Sequence, residues 1–131
     1  MAQKPIELIL LKDLVSQMGF PVTMVDAQGK VVFLNEQAEQ LLGRRLGDTG
    51  EIPLAQLAES FKPLDENGQP LPLDQLPIRV ALRERRPKQA QLFLHDSTGK
   101  AHRITTTAIP LDGQGGTLLG AMAIFWETNG T

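Results

Sequence analysis

VTMVDAQGKVVFLNEQAEQLLG, from Val22 to Gly43, sets out two β-rich runs, a turn and a helix in quick succession. The first run, FPVTMVD (20–26), and the second, KVVFLN (30–35), are joined by Ala27, Gln28 and Gly29. A short linker ending in glycine predicts a tight hairpin with Gly29 left-handed. Asn35 stands just before EQAEQLLG, where its side-chain oxygen can accept a backbone N–H and cap a helix. Ala38, Leu41 and Leu42 make that helix's apolar face, and Gly43 ends it.

Upstream, Pro5 to Met18 reads as an amphipathic helix, with Leu8, Leu11, Val15 and Met18 on one stripe and Gly19 at its left-handed end. That stripe must bury against the domain's own sheet or against the same helix of a partner chain. Downstream, residues 44–52 read as a loop and PLAQLAESF (53–61) as a short helix presenting Leu54, Leu57 and Phe61. Between Pro63 and Arg86, Asn67-Gly68 is turn chemistry, and Pro70 and Pro72 hold the chain extended. Asp74 is placed to cap a further helix with Pro77 in its first turn. Leu76, Ile78, Val80, Ala81 and Leu82 supply its buried side, and Pro87 ends it. The last third reads as three strands, KQAQLFLHD, KAHRITTTAIPL and TLLGAMAIFWE, joined by glycine-bearing turns, which makes an antiparallel meander. The order helix, two strands, three helices, three strands predicts an α+β domain with helices on one sheet face.

At 131 residues the chain is one domain. A net charge of −2 lacks the basic excess of a general nucleic-acid or anionic-membrane binder. No apolar run approaches the ~18 residues of a membrane span. Ile6–Leu11 is apolar but interrupted by Glu7, and reads as helix rather than signal peptide. The absence of cysteine removes disulfides, thiolate nucleophiles and cysteine-ligated metals, and is compatible with a cytoplasmic location.

The stretch 22–43, followed by GKAHRITTTAIPLDGQGGTLLGAMAIF (99–125), resembles the PAS domain family: Asp26, Gly29, Asn35 and Gly43 fall where its pattern has them. PLDENGQPLPLDQLPIRVALRER is similar to a segment of a PAS subgroup found in bacterial signalling proteins such as histidine kinases. The resemblance spans residues 20–127, with 1–19 as a flanking helix and 128–131 as the start of a linker. It implies a five-stranded antiparallel sheet in the order 2-1-5-4-3, helices over one face, and a cavity between them. It also implies dimerisation through the N-terminal helix and a non-catalytic role controlling an output domain such as a histidine kinase or a diguanylate cyclase. Where the family has an Asp-x-Thr element, this chain has Glu127-Thr128-Asn129, so that transmission contact is not reproduced as such.

Each candidate chemistry has a plainer alternative. Arg79, Arg83 and Arg86 recur on one helix face; a carboxylate clamp is conceivable, but Glu84, Asp65, Glu66 and Asp74 are at hand to balance a solvated face. His95 and His102 flank one hairpin with no third ligand evident, which disfavours haem or metal. Without cysteine, a cysteinyl-flavin adduct is excluded. Trp126 reads as a core or dimer-interface residue rather than a flavin stacker. No nucleophile–base pair, P-loop or glycine-rich phosphate fingerprint is present, and a thioesterase-like or cystatin-like enzyme is the least supported reading.

Two readings stand. In the first, a bacterial sensory module binds a small molecule, of unknown identity, in a pocket lined by Thr23, Val25, Leu42, Ile78, Leu82, Ile104, Thr106 and Met122. In the second, a filled-core interaction module dimerises through Leu8, Leu11, Val15 and Met18.

Overall fold

The structure, a computed structural model, describes residues 6–43 and 51–128, with the backbone alone at Ile6 and Leu8. Its elements are α1 (Ile6–Val15), β1 (Val22–Asp26), β2 (Lys30–Leu34), α2 (Glu36–Leu42), β3 (Ile52–Pro53), α3 (Leu54–Phe61), α4 (Pro77–Glu84), β4 (Lys88–His95), β5 (Ala101–Asp112) and β6 (Leu118–Glu127). The strands form one antiparallel sheet in the order β3-β2-β1-β6-β5-β4. The predicted five-strand order is therefore present, and the short edge strand β3 is added beside β2. Of the predicted loop 44–52, residues 44–50 lie outside the described residues, while Ile52 and Pro53 pair with Val31 and Lys30.

The hairpin and the first inner helix form as their local chemistry dictates. Asp26 Oδ1 accepts the N–H groups of Gln28 and Lys30 and shapes the β1–β2 turn. Asn35 caps α2 by accepting the N–H of Ala38, and Gly43 ends the helix at φ 68°, a conformation that glycine adopts without steric cost. Asn35 does more. Its Oδ1 also accepts the N–H of Val22, and its Nδ2 donates to the carbonyls of Val15 and Phe20. This buried side chain ties the end of α1, the start of β1 and the start of α2 together.

Two predicted helix ends differ. α1 stops at Val15 rather than Met18: the Gln17 and Met18 N–H groups bond three residues back, to Leu14 and Val15, and Asn35 shares the Val15 carbonyl. Gly19 is not left-handed. α4 is not capped by Asp74: a short 3₁₀ turn, Leu73–Gln75, intervenes, and Leu76 occupies the cap position without a side-chain bond. The Asp74 backbone carbonyl instead accepts from Arg83. Pro5 and residues 129–131 of the predicted linker lie outside the described residues.

Two bulges decide which side chains point where. Between the pairs Met24–Phe33 and Val25–Val31, Val32 has no opposite number on β1. An extra residue re-aims the strand, so Val32 and Phe33 both face outward while Val31 and Leu34 face the helices. On β6, Gly120 pairs with Leu111 and Leu118 with Asp112, leaving Leu119 unpaired. Gly120 has φ 156°, and a Cβ there would collide with the Val25 carbonyl oxygen.

The sheet consequently carries two cores. The inner face packs under α2, α3 and α4, with Val25, Leu34, Ile104, Ala108, Ala121 and Ala123 among its buried residues. The outer face buries Val22, Met24, Leu111, Leu119 and Met122 together with Val15 of α1. Leu11 and Met18 pack against the same outer core.

Candidate functional site

A cavity of about 60 Å³ lies between the inner sheet face and the helices. The sheet contributes Thr23 from β1, Leu92 and Leu94 from β4, Ile104 and Thr106 from β5, and Ala123 and Phe125 from β6. The helical side contributes Leu42 from α2, Leu54, Leu57 and Phe61 from α3, and Leu76, Pro77 and Ile78 at the start of α4. No lining residue is charged. The polar side chains on the lining are the buried threonines Thr23 and Thr106. Thr106 Oγ1 donates to the Ile124 carbonyl at 3.3 Å, a long bond.

Of the eight residues predicted for the pocket, Thr23, Leu42, Ile78, Ile104 and Thr106 line it. Val25 is buried in the inner core without reaching the cavity. Leu82 packs against the edge of that core and borders an outer groove shared with Gln28, Arg79 and Leu118. Met122 is the clear correction: it faces outward, because β6 directs Ala121, Ala123 and Phe125 inward. The eight missed the floor of α3, although its stripe Leu54, Leu57 and Phe61 is plain in the sequence.

Within the chain, the N-terminal stripe packs against the outer face of the sheet. Val15 is fully buried there, and Leu11 and Met18 pack beside it; the Leu8 side chain lies outside the described residues. Among the described side chains of α1, the large apolar residues left in solvent are Ile9, Leu10 and Leu14, the last two 61% exposed. Phe20 is exposed as well and meets Trp126 edge-on, with ring centroids 6.3 Å apart.

Arg83, Arg85 and Arg86 sit on a solvated, largely balanced face, while Arg79 is half-buried beside Leu82. Glu84 accepts from Arg86 and Arg83, whose guanidiniums hold its carboxyl below the usual range. Arg85 bonds Asp112 at 2.9 Å. Asp65 is engaged in its own turn, accepting the N–H groups of Asn67 and Gln69. Neither histidine reaches the cavity. His95 Nδ1 lies 3.0 Å from the Lys62 carbonyl, and His102 lies between Asp96 and Glu127.

A family model described as the PAS fold matches residues 15–130. The chain belongs to the PAS family. Solved structures agree with this PAS fold at low identity. The LOV protein of Rhodobacter sphaeroides superimposes with a TM-score of 0.72 at 14% identity, over 96% of this chain and 70% of that one. The PAS domain of Bordetella pertussis BvgS gives 0.62 at 14% identity, over 94% and 86%. The PAS domain of the fruit-fly ELK potassium channel gives 0.67 at 9% identity, over 92% and 95%. No curated protein matches the chain. Among the described residues, no helix is long and apolar enough to cross a membrane.

Proposed function

We propose that this PAS domain is the sensory module of a signalling protein, reading a compact, uncharged molecule held between the sheet and α2–α4. The observation that supports this reading is the inner cavity itself: an apolar cavity with Thr23 and Thr106 among its sheet-side residues. Burying an ion beside such a lining is costly, so the chemistry favours a neutral ligand with one or two hydrogen-bonding groups. The volume of about 60 Å³ is well below the roughly 300–1,000 Å³ of drug-sized sites. A larger ligand would have to displace α3 or the start of α4. The module does no chemistry of its own in this reading. It works in the cytoplasm and passes altered helix packing to an output domain, such as a kinase or a cyclase.

The test is native mass spectrometry with a UV–visible spectrum on the purified protein, followed by thermal shifts with compact neutral ligands. A mass excess lost on denaturation, or a shift removed by Thr106→Val, is the expected result. A bare mass with no shift across the panel would overturn it.

A second reading has its own support. The small cavity and the exposed Ile9, Leu10 and Leu14 suit a dimerisation module that pairs two copies through the outward side of α1. In this version the partner surface is the exposed flank of Ile9, Leu10 and Leu14, beside the stripe of Leu11 and Val15 that meets the sheet.

A further inference from the structure

His102, the second residue of β5, stands opposite Leu94 of β4. Its Nε2 lies 2.8 Å from Asp96 Oδ2 in the β4–β5 turn, and its Nδ1 lies 3.2 Å from Glu127 Oε1 at the end of β6. A neutral imidazole has one N–H and can serve one carboxylate as donor; holding both at once requires the imidazolium. The two ties are unequal. The His102 and Asp96 side chains are only 13% and 16% exposed, whereas Glu127 is 48% exposed. Asp96 is further fixed through Oδ1, which accepts the N–H groups of Thr98 and Lys100 and the Thr98 hydroxyl. A ring with one proton would keep Asp96 and turn a lone pair on Glu127.

The contacts of this cluster reach in two directions. Next to Glu127, the Thr128 N–H donates to the Arg103 carbonyl at 2.8 Å, and the hydroxyls of Thr128 and Thr105 share a bond of 2.6 Å. Next to Asp96, the Ser97 N–H donates to the carbonyl of Leu42 at 3.0 Å, and Leu42 lines the inner cavity. One turn thus holds the end of α2 directly and the end of β6 through a single imidazole.

We infer that His102 is a proton-dependent clasp: charged, it ties the end of β6 to the β4–β5 turn, and on losing its proton it keeps Asp96 and releases Glu127. The inference does not depend on any ligand in the cavity. Of the neighbouring charged groups among the described residues, Lys100 contributes its backbone N–H, and Arg103, on the opposite side of β5, bonds Gln91. His95 on β4 turns to the Lys62 carbonyl, and the end of α2 brings Leu42 and Gly43, which do not titrate.

The hydrogen bond to Asp96 raises the pKa of His102 above its ordinary 6.5, with a smaller contribution from Glu127 and with burial opposing. A raised folded-state pKa means that the clasp's stabilisation is complete below about pH 6.5 and fades as pH rises through the folded value. The same hydrogen bond, helped by Thr98, holds Asp96 below the usual carboxylate range, so its contribution is full above the ordinary carboxylate pKa, fades as pH falls below it and is gone in strong acid.

NMR on the whole chain between about pH 5.5 and 9, the range in which a histidine changes charge, tests the clasp. The His102 ring should titrate in step with faster exchange of the Thr128 amide, after correction for intrinsic pH dependence. Glu127→Gln should lower the His102 midpoint by a few tenths to about one unit and flatten the Thr128 response. The two effects are linked: a midpoint lowered by half a unit corresponds to a contact weakened about threefold on deprotonation. His95→Gln should leave both unchanged. If Glu127→Gln leaves the midpoint in place, or if Thr128 protection ignores the ring's titration, the clasp does not exist. Because Glu127 is half-exposed, its substitution leaves the fold intact and the result reads on the clasp.

Discussion

On its inner side β6 presents Ala121, Ala123 and Phe125, and on its outer side Met122 and Ile124. The two cores therefore differ in bulk within one strand. Inside, three helices arch over a sheet floor kept low by Ala108, Ala121 and Ala123, and a cavity remains. Outside, two methionines and several branched residues rise to meet a single helix, α1. The inner face is the one with room to respond to something; the outer face is packed to hold α1 in place. The difference comes from side-chain volume, since both faces are almost equally apolar.

The widest break in this comparison would come at Gly120, the point on which both faces depend. Gly120→Ala places a Cβ against the Val25 carbonyl and should cost about 4 kcal/mol or more, at the severe end for a single substitution, read by urea unfolding. A paired test on β6 is sharper. Met122→Ala should cost roughly 2–4 kcal/mol as a core truncation and leave any ligand signal unchanged. Ala123→Val should shift stability by about 1 kcal/mol or less as a cavity-filling change, while abolishing ligand uptake. If the two cost the same, the inner face is packed as tightly as the outer and the contrast fails. The smallest effect is expected at Leu14→Glu, within about 0.5 kcal/mol for an exposed position. It should show only in sedimentation, as the loss of a dimer if the exposed side of α1 makes one.

Much of this fold can be read from residues whose effect is local. Asn35 and Gly43 bound α2 through their own side chain or backbone freedom, and Asp26 shapes its turn. What resists reading depends on distant partners. β3 is two residues long and includes a proline, too little pattern to register as a strand. The facing of Met122 cannot come from alternation, because LLGAMAIFW is apolar on both sides and Gly120 breaks the parity. Asp74 resembles a cap, but the chain passes through a 3₁₀ turn before α4 begins. The His102 cluster joins a turn and two strands, and nothing in the spacing of positions 96, 102 and 127 announces it.

Asn35 has a last consequence, best put as a matter of alphabet. Two backbone N–H groups approach its oxygen and two carbonyls its nitrogen, so the site asks for two acceptances and two donations from one short planar group. Aspartate can only accept, serine lacks the reach and a second donor, and glutamine carries the right atoms one carbon too far. Position 35 is spelled with a single letter, and it is where α1, on one side of the sheet, and α2, on the other, are written into the same word.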